Sequence, residues 1–160
     1  MAQTFTTLES FKNHLLGRTM IAMKKTIDEI KNHLMEILDD RIYSYAEGEY
    51  DRSGMLREED NWVADNISHS GNISFALHFD ESKYYVNGWE HIHGLCWSGG
   101  NTELPSAEAF IAVLNDNRSD LFGVTPDTDG FWNEFIEWVE DHYDEILMKN
   151  MTELGIDVLK

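Results

Sequence analysis

From Leu8 to Ile42 apolar residues return every three or four positions, as Leu8, Phe11, Leu15, Ala22, Ile27, Ile30, Leu34, Ile37 and Leu38. Lys12, Lys24, Lys25, Asp28, Glu29, Lys31 and Asp39 fall between them. That spacing predicts one long amphipathic helix, roughly 50 Å at 1.5 Å per residue, with Gly17 as the weak point near its start. A rod of that length in a small chain predicts that one end or face packs on another subunit. After Gly54 the period changes from helical to alternating. Strands are expected at 62–69, 72–79 and 84–89. In the second, Ile73, Phe75, Leu77 and Phe79 share one face, while Ser74, Ala76 and His78 share the other. Ser70-Gly71 and Asp80-Glu81-Ser82 supply the turns. This is an antiparallel meander with one apolar face, which the helices must cover.

Residues 90–105 read as an irregular loop carrying Gly94, Gly99, Gly100 and Pro105. A short helix is expected from Ser106, its N-cap, and polar turns from Asn115. A last helix, capped by Asp129, runs through Trp132, Phe135, Ile136, Val139, Tyr143, Ile146 and Leu147, with Gly155 as its stop. The expectation is a single α+β domain over 1–160. It comprises a tail at 1–7, a long N-terminal helix, a three-stranded antiparallel meander, a short helix, and a C-terminal helix packed on one sheet face. Residues 90–125 form a loop and short-helix insert of unassigned role.

Composition narrows the function classes. The chain has 160 residues, enough for one real core, and 42% hydrophobic residues, too many for a wholly disordered chain. Thirty Asp and Glu against twelve Lys and Arg leave a formal charge of −18. Phosphate binding requires Lys and Arg to displace counterions, so groove-reading of DNA and binding to anionic membranes are poor hypotheses. A solvated surface, a DNA mimic, or a lumen past which DNA slides remain. The lone cysteine, Cys96 in Gly-Leu-Cys-Trp, has no intrachain partner and reads as a small buried hydrophobe. No signal-peptide pattern and no apolar run near the ~18 residues of a membrane helix is visible, so a cytosol-like compartment is expected.

Little in the chain reads as catalytic chemistry. His91 and His93 alternate beside Glu90, and His78 lies on an adjacent strand, which offers a weak metal site lacking a placed third or fourth ligand. Asp127-Thr128-Asp129-Gly130 looks like the middle of a calcium loop. Registering Gly130 at the sixth position puts Thr125 first and Ile136 twelfth, where Asp and Glu are required. Glu58-Glu59-Asp60 and Glu134, Glu137, Glu140, Asp141 and Asp144 supply carboxylates, the latter set on the solvated face of a helix. There is no Gly-rich phosphate loop, H-E-x-x-H or G-x-S-x-G. Trp62, Trp89, Trp97, Trp132 and Trp138 are read as core or interface aromatics rather than a ligand-stacking platform.

The link between helix and meander carries a resemblance. Taken in order, the helix 8–42, the turn Tyr50-Asp51-Arg52-Ser53-Gly54-Met55-Leu56, the hairpin around Ser70-Gly71 and the late helix opening Phe131-Trp132 are similar to the head–tail joining proteins of long-tailed bacteriophages. These are also called neck or tail-completion proteins, and a Tyr-x-Arg-Thr-Gly-x-Leu turn recurs among them. Ser53 stands here where Thr is usual, Glu58-Glu59-Asp60 replaces a small polar residue before the Trp, and 90–125 finds no counterpart. The resemblance covers about two-thirds of the chain, and its pieces are specific only as an ordered set.

The resemblance implies a non-catalytic subunit without cofactor, joining rings between capsid portal or connector and tail tube, in host cytoplasm and then in the virion. Tyr45, Tyr50 and Trp62 then become interface anchors, and Arg52, Ser53, Gly54 and Leu56 turn residues, with Arg52 fixing the turn through neighbouring acids. An acidic lumen lets DNA slide without sticking. Two alternatives stand beside it: an acidic DNA-mimic inhibitor of a host nuclease or restriction system, and a small metal-dependent enzyme using His78, His91 and His93.

Overall fold

Thr7 begins the first helix. Its Oγ1 accepts from the Ser10 amide at 3.1 Å and the Ser10 hydroxyl accepts from the Thr7 amide at 3.3 Å, a reciprocal cap that satisfies two otherwise orphaned donors. The computed structural model describes residues 5–44, 55–68, 72–83, 111, 112, 115 and 130–156. From this cap α1 runs over Leu8–Leu38 without interruption. Gly17 does not break it. The helix does not continue regularly to Ile42 as the spacing predicts. Asp39–Tyr43 forms a π-helical turn, and this widened turn directs Ile42 into the core and Arg41 towards Glu134.

β1 (Trp62–Asn66) and β2 (Phe75–Phe79) pair antiparallel, with Trp62 opposite Phe79 and Asn66 opposite Phe75. Both strands are shorter than the alternation predicts. Beyond Asn66 the ladder loosens: the Ile67 amide still donates to the Ser74 carbonyl at 2.9 Å, and Ser68 exchanges side-chain bonds with Ser74. Short 3₁₀ turns at Met55–Arg57, Glu59–Asn61 and Glu81–Lys83 bracket the pair. The described sheet is therefore two-stranded. The expected third strand at 84–89 and the Ser70-Gly71 turn lie outside the described residues, as does most of the segment 90–129. Ile111 and Ala112, within the short helix expected from Ser106, are helical, and so is Asn115, where the sequence predicts a polar turn.

α2 spans Phe131–Glu153. Its N-cap is Gly130, held at φ +70°, where a Cβ is strained. The amides of Trp132 and Asn133 are capped from a distance, by the Asn115 side-chain oxygen at 2.9 and 3.3 Å. The expected cap, Asp129, lies outside the described residues.

The two helices lie antiparallel, tied rung by rung. The Arg18 guanidinium donates to the Leu154 carbonyl at the end of α2, where cations suit the helix dipole. Lys25 meets Glu153 at 3.2 Å, Lys149 meets Glu29 at 3.1 Å, and Arg41 meets Glu134 at 2.6 Å. Between these polar edges lies the core. Ile30, Leu34, Ile37 and Leu38 of α1 pack with Leu56, Trp62, Phe79, Phe131 and Phe135. Buried Asn150 bridges the helices, donating to Thr26 Oγ1 at 3.2 Å and Glu29 Oε1 at 3.0 Å. A satisfied buried amide of this kind favours one register of two helices over its neighbours.

Candidate functional site

Of the turn and interface residues singled out by sequence, Leu56 and Trp62 are described, and both lie in the core, 2% and 3% exposed. The Trp62 indole donates to the Leu56 carbonyl at 2.7 Å, which ties the 3₁₀ turn Met55–Arg57 to the start of β1. Trp62 meets Phe79 edge-on at 5.4 Å and stacks with Trp132 at 6.0 Å. Tyr45, Tyr50, Arg52, Ser53 and Gly54 lie outside the described residues. His78 is exposed on β2, 3.7 Å from Asp65 across the ladder. His91 and His93 lie outside the described residues. Among those described, no group of three His, Cys, Asp or Glu side chains is arranged to hold a metal ion.

The carboxylates behave as surface groups. Glu58, Glu59 and Asp60 are exposed on the turn before β1, and Glu137, Glu140, Asp141 and Asp144 line the outer face of α2. Perturbed acids lie elsewhere. The Asn150 hydrogen bond, helped by Lys149, holds the Glu29 carboxyl below its usual range despite some desolvation. Asp80 is lowered by the Ser82 hydroxyl and amide, an Asx turn after β2. Burial, then Asp144, pushes the Tyr143 phenol up.

One side-chain column escapes any sequence reading. His33 stacks on Trp138 at 3.8 Å, and Trp138 stacks on His142 at 4.7 Å. The His142 Nδ1 lies 2.8 Å from the Trp138 carbonyl, which orients its ring. Glu29, Glu36, Glu145 and Lys149 line the same shallow groove of about 580 Å³. The four-residue step from Trp138 to His142 is visible in sequence. The third ring, on α1, depends on how the helices cross.

The largest departure from ordinary surface chemistry lies at the start of α1. The apolar stripe that is buried from Ala22 onward is exposed before it: Leu8 is 69% exposed, Phe11 44%, Leu15 38% and Leu16 45%. The reason is geometric. α2 ends against Arg18, so the first ten residues of α1 extend past it by about 15 Å at 1.5 Å per residue. Leu15 and Leu16 open onto a groove shared with Ile73, Tyr143 and Leu147. It continues through Met23, Ile73 and Tyr143 into a second groove of about 400 Å³, lined by Ile27, Phe75, Leu77, Trp132, Ile136 and Val139. Scattered exposed Leu residues are ordinary, but a row at helical spacing leading into an apolar groove marks an interaction surface.

Among the described residues no helix is long and apolar enough to cross a membrane. Comparison with models of protein families, with curated proteins and with solved structures finds no match.

Proposed function

We propose that this chain is a non-catalytic structural subunit, resembling the neck or tail-completion proteins that join capsid portal to tail as part of a ring. The observation that carries the reading is the overhanging end of α1, where the core stripe continues at exposed positions and no helix among the described residues covers it. A subunit made to be finished by assembly has such a surface. In this reading 84–89 adds the third strand of the meander, Tyr45 and Tyr50 face neighbours, and Arg52 braces the turn. The strong negative charge keeps passing DNA from sticking. Assembly takes place in the host cytoplasm and ends in the virion.

One observation favours a second reading, an acidic mimic of DNA. Glu137, Glu140, Asp141 and Asp144 form a like-charged row on one face of α2, an arrangement that costs helix stability and requires a reason. Light scattering of the pure chain, alone and mixed with portal and tail-tube proteins, separates the two. Ring-sized mass, alone or only on those partners, is the result expected of a joining subunit. A chain that ignores both partners and captures a basic DNA-binding enzyme refutes that role in favour of the mimic.

A further inference from the structure

β1 has an edge whose hydrogen-bonding groups can be assigned one by one. The Asp80 amide donates to the Asn61 carbonyl at 2.7 Å, and the Ile67 amide to the Ser74 carbonyl at 2.9 Å. With the register of the ladder, these bonds place the groups facing β2 on Asn61, Val63, Asp65 and Ile67. Trp62, Ala64 and Asn66 therefore turn their amides and carbonyls the other way. The Trp62 amide donates to the Glu59 carbonyl. The amides and carbonyls of Ala64 and Asn66 make no hydrogen bond to a described residue; Ala64 is partly exposed and Asn66 exposed. A row of unpaired donors and acceptors of this kind is a template for another strand.

A groove of about 350 Å³ flanks the same strand, between β1 and α1. Ile27, Trp62, Ala64 and Phe75 give it an apolar lining, and two lysines against two aspartates leave it neutral. Trp62, Ala64 and Asn66 share the strand face that Trp62 buries in the core. A residue paired opposite Ala64 shares that face and enters the groove, whereas its neighbours stand on the outer face beside Asp65.

Charge decides which strand fits. Residues 58–66 carry Glu58, Glu59, Asp60 and Asp65 and no lysine or arginine. Arg57, just before them, lies over the Tyr43 ring at 5.1 Å, and Lys31 reaches Glu59 at 3.7 Å. Glu58, Asp60 and Asp65 are exposed, Asp65 lying 3.7 Å from His78. Pairing β1 with β1 of a second copy sets acids against acids and adds to the repulsion between two chains of charge −18. A basic strand gains from both.

We propose that the free edge of β1 takes up an extended basic segment of a partner protein as an added strand. One apolar side chain of that segment sits in the groove beside α1, and basic side chains meet Asp65 and Asp60. Main-chain bonds supply affinity in such a contact, and the alternation of side chains supplies selectivity. This contact does not depend on the joining role, and it is tested without portal or tail-tube protein.

Amide exchange of the ¹⁵N-labelled full-length chain reads the edge residue by residue. The probe is a capped peptide of alternating lysine and valine. In the free chain the Ala64 and Asn66 amides exchange fast and those of Val63 and Asp65 slowly, and the peptide slows the first pair. The same peptide N-methylated on its valines keeps its charge but loses the main-chain bonds, so it binds about tenfold or more weakly. Ala64→Pro deletes an amide that the ladder with β2 does not use, so an edge strand tolerates it, and binding falls by about tenfold or more. Asp65→Lys, at an exposed position, carries the test should the proline variant lose its circular dichroism: it rejects the lysine peptide and accepts one of alternating glutamate and valine.

Slow exchange of Ala64 and Asn66 in the free chain overturns the contact, because the chain itself then covers the edge. Equal binding of the N-methylated peptide, or binding unchanged in a folded Ala64→Pro or in Asp65→Lys, overturns it too, since charge alone then holds the peptide.

Discussion

Replacing Trp62 by Phe tests the claim that the Met55–Arg57 turn is locked from inside the core. The indole N–H donates to the Leu56 carbonyl at 2.7 Å, and both residues are nearly inaccessible to water. Phe keeps an aromatic ring against Phe79 but has no donor, so a buried carbonyl loses its partner, costing about 1–3 kcal/mol. The smaller ring forfeits roughly 40 Å² of buried apolar surface, worth about 1 kcal/mol at ~25 cal/mol/Å². The sum, about 2–4 kcal/mol, is a large share of the ~5–15 kcal/mol typical of a domain. Urea unfolding followed by far-ultraviolet circular dichroism measures it, with an unchanged m-value showing that the same surface unfolds. Trp132→Phe, at a half-buried ring in the same stack, is expected to cost about 1 kcal/mol or less. A Trp62→Phe variant within about 1 kcal/mol of the parent refutes the reasoning, because the Leu56 carbonyl would then have another partner.

Asn150→Asp removes the two donated bonds to Thr26 and Glu29 and sets a buried carboxylate against Glu29, so a loss of about 3 kcal/mol or more is expected at pH 7, shrinking towards pH 5 in urea titrations. The Glu29 carboxyl is lowered from an ordinary 4.5, so its stabilising contribution is present above that pH and disappears as pH falls through the lower folded value; Glu29→Gln flattens the melting temperature between pH 5 and 3 relative to the parent. Gly17→Ala is expected to raise stability by about 0.5–1 kcal/mol in thermal or urea unfolding, because the glycine sits inside α1 and a Cβ there meets no atom within 4 Å.

Local periodicity made the helices and the second strand legible before any coordinates. The alternation is sharp only at the end of β2, where Phe79 is buried and His78 exposed, whereas Phe75, Ala76 and Leu77 are all half-buried. Periodicity also failed instructively. Leu8, Phe11 and Leu15 repeat as faithfully as Ile30 and Leu34, yet one group is exposed and the other buried. The difference is set by where α2 stops, information held some 140 residues away. The cap of α2 was illegible for the same reason, since Asn115 reaches it from outside the helix. The column of His33, Trp138 and His142, and the Asn150 bridge, depend on the register between helices that the chain's local pattern does not encode. Trp62 had the composition of an interface anchor, and only its partner, the Leu56 carbonyl, shows where it points.

The pairing of α1 with α2 also sets a timetable. Thr26 and Asn150, joined across the two helices, are 124 residues apart in the chain. A ribosome adding about 5–20 residues per second needs roughly 6–25 s to bring the second helix out after the first. Throughout that interval the part of the α1 stripe that α2 covers emerges without its partner, although Leu56, Trp62 and Phe79 follow sooner. Synthesis therefore passes through a stage in which a long sticky helix waits on its polysome beside identical helices. Slowing translation between residues 44 and 130 should lengthen that exposure and lower the soluble yield, whereas supplying the helix-covering C-terminal half sooner, by circular permutation, should raise it.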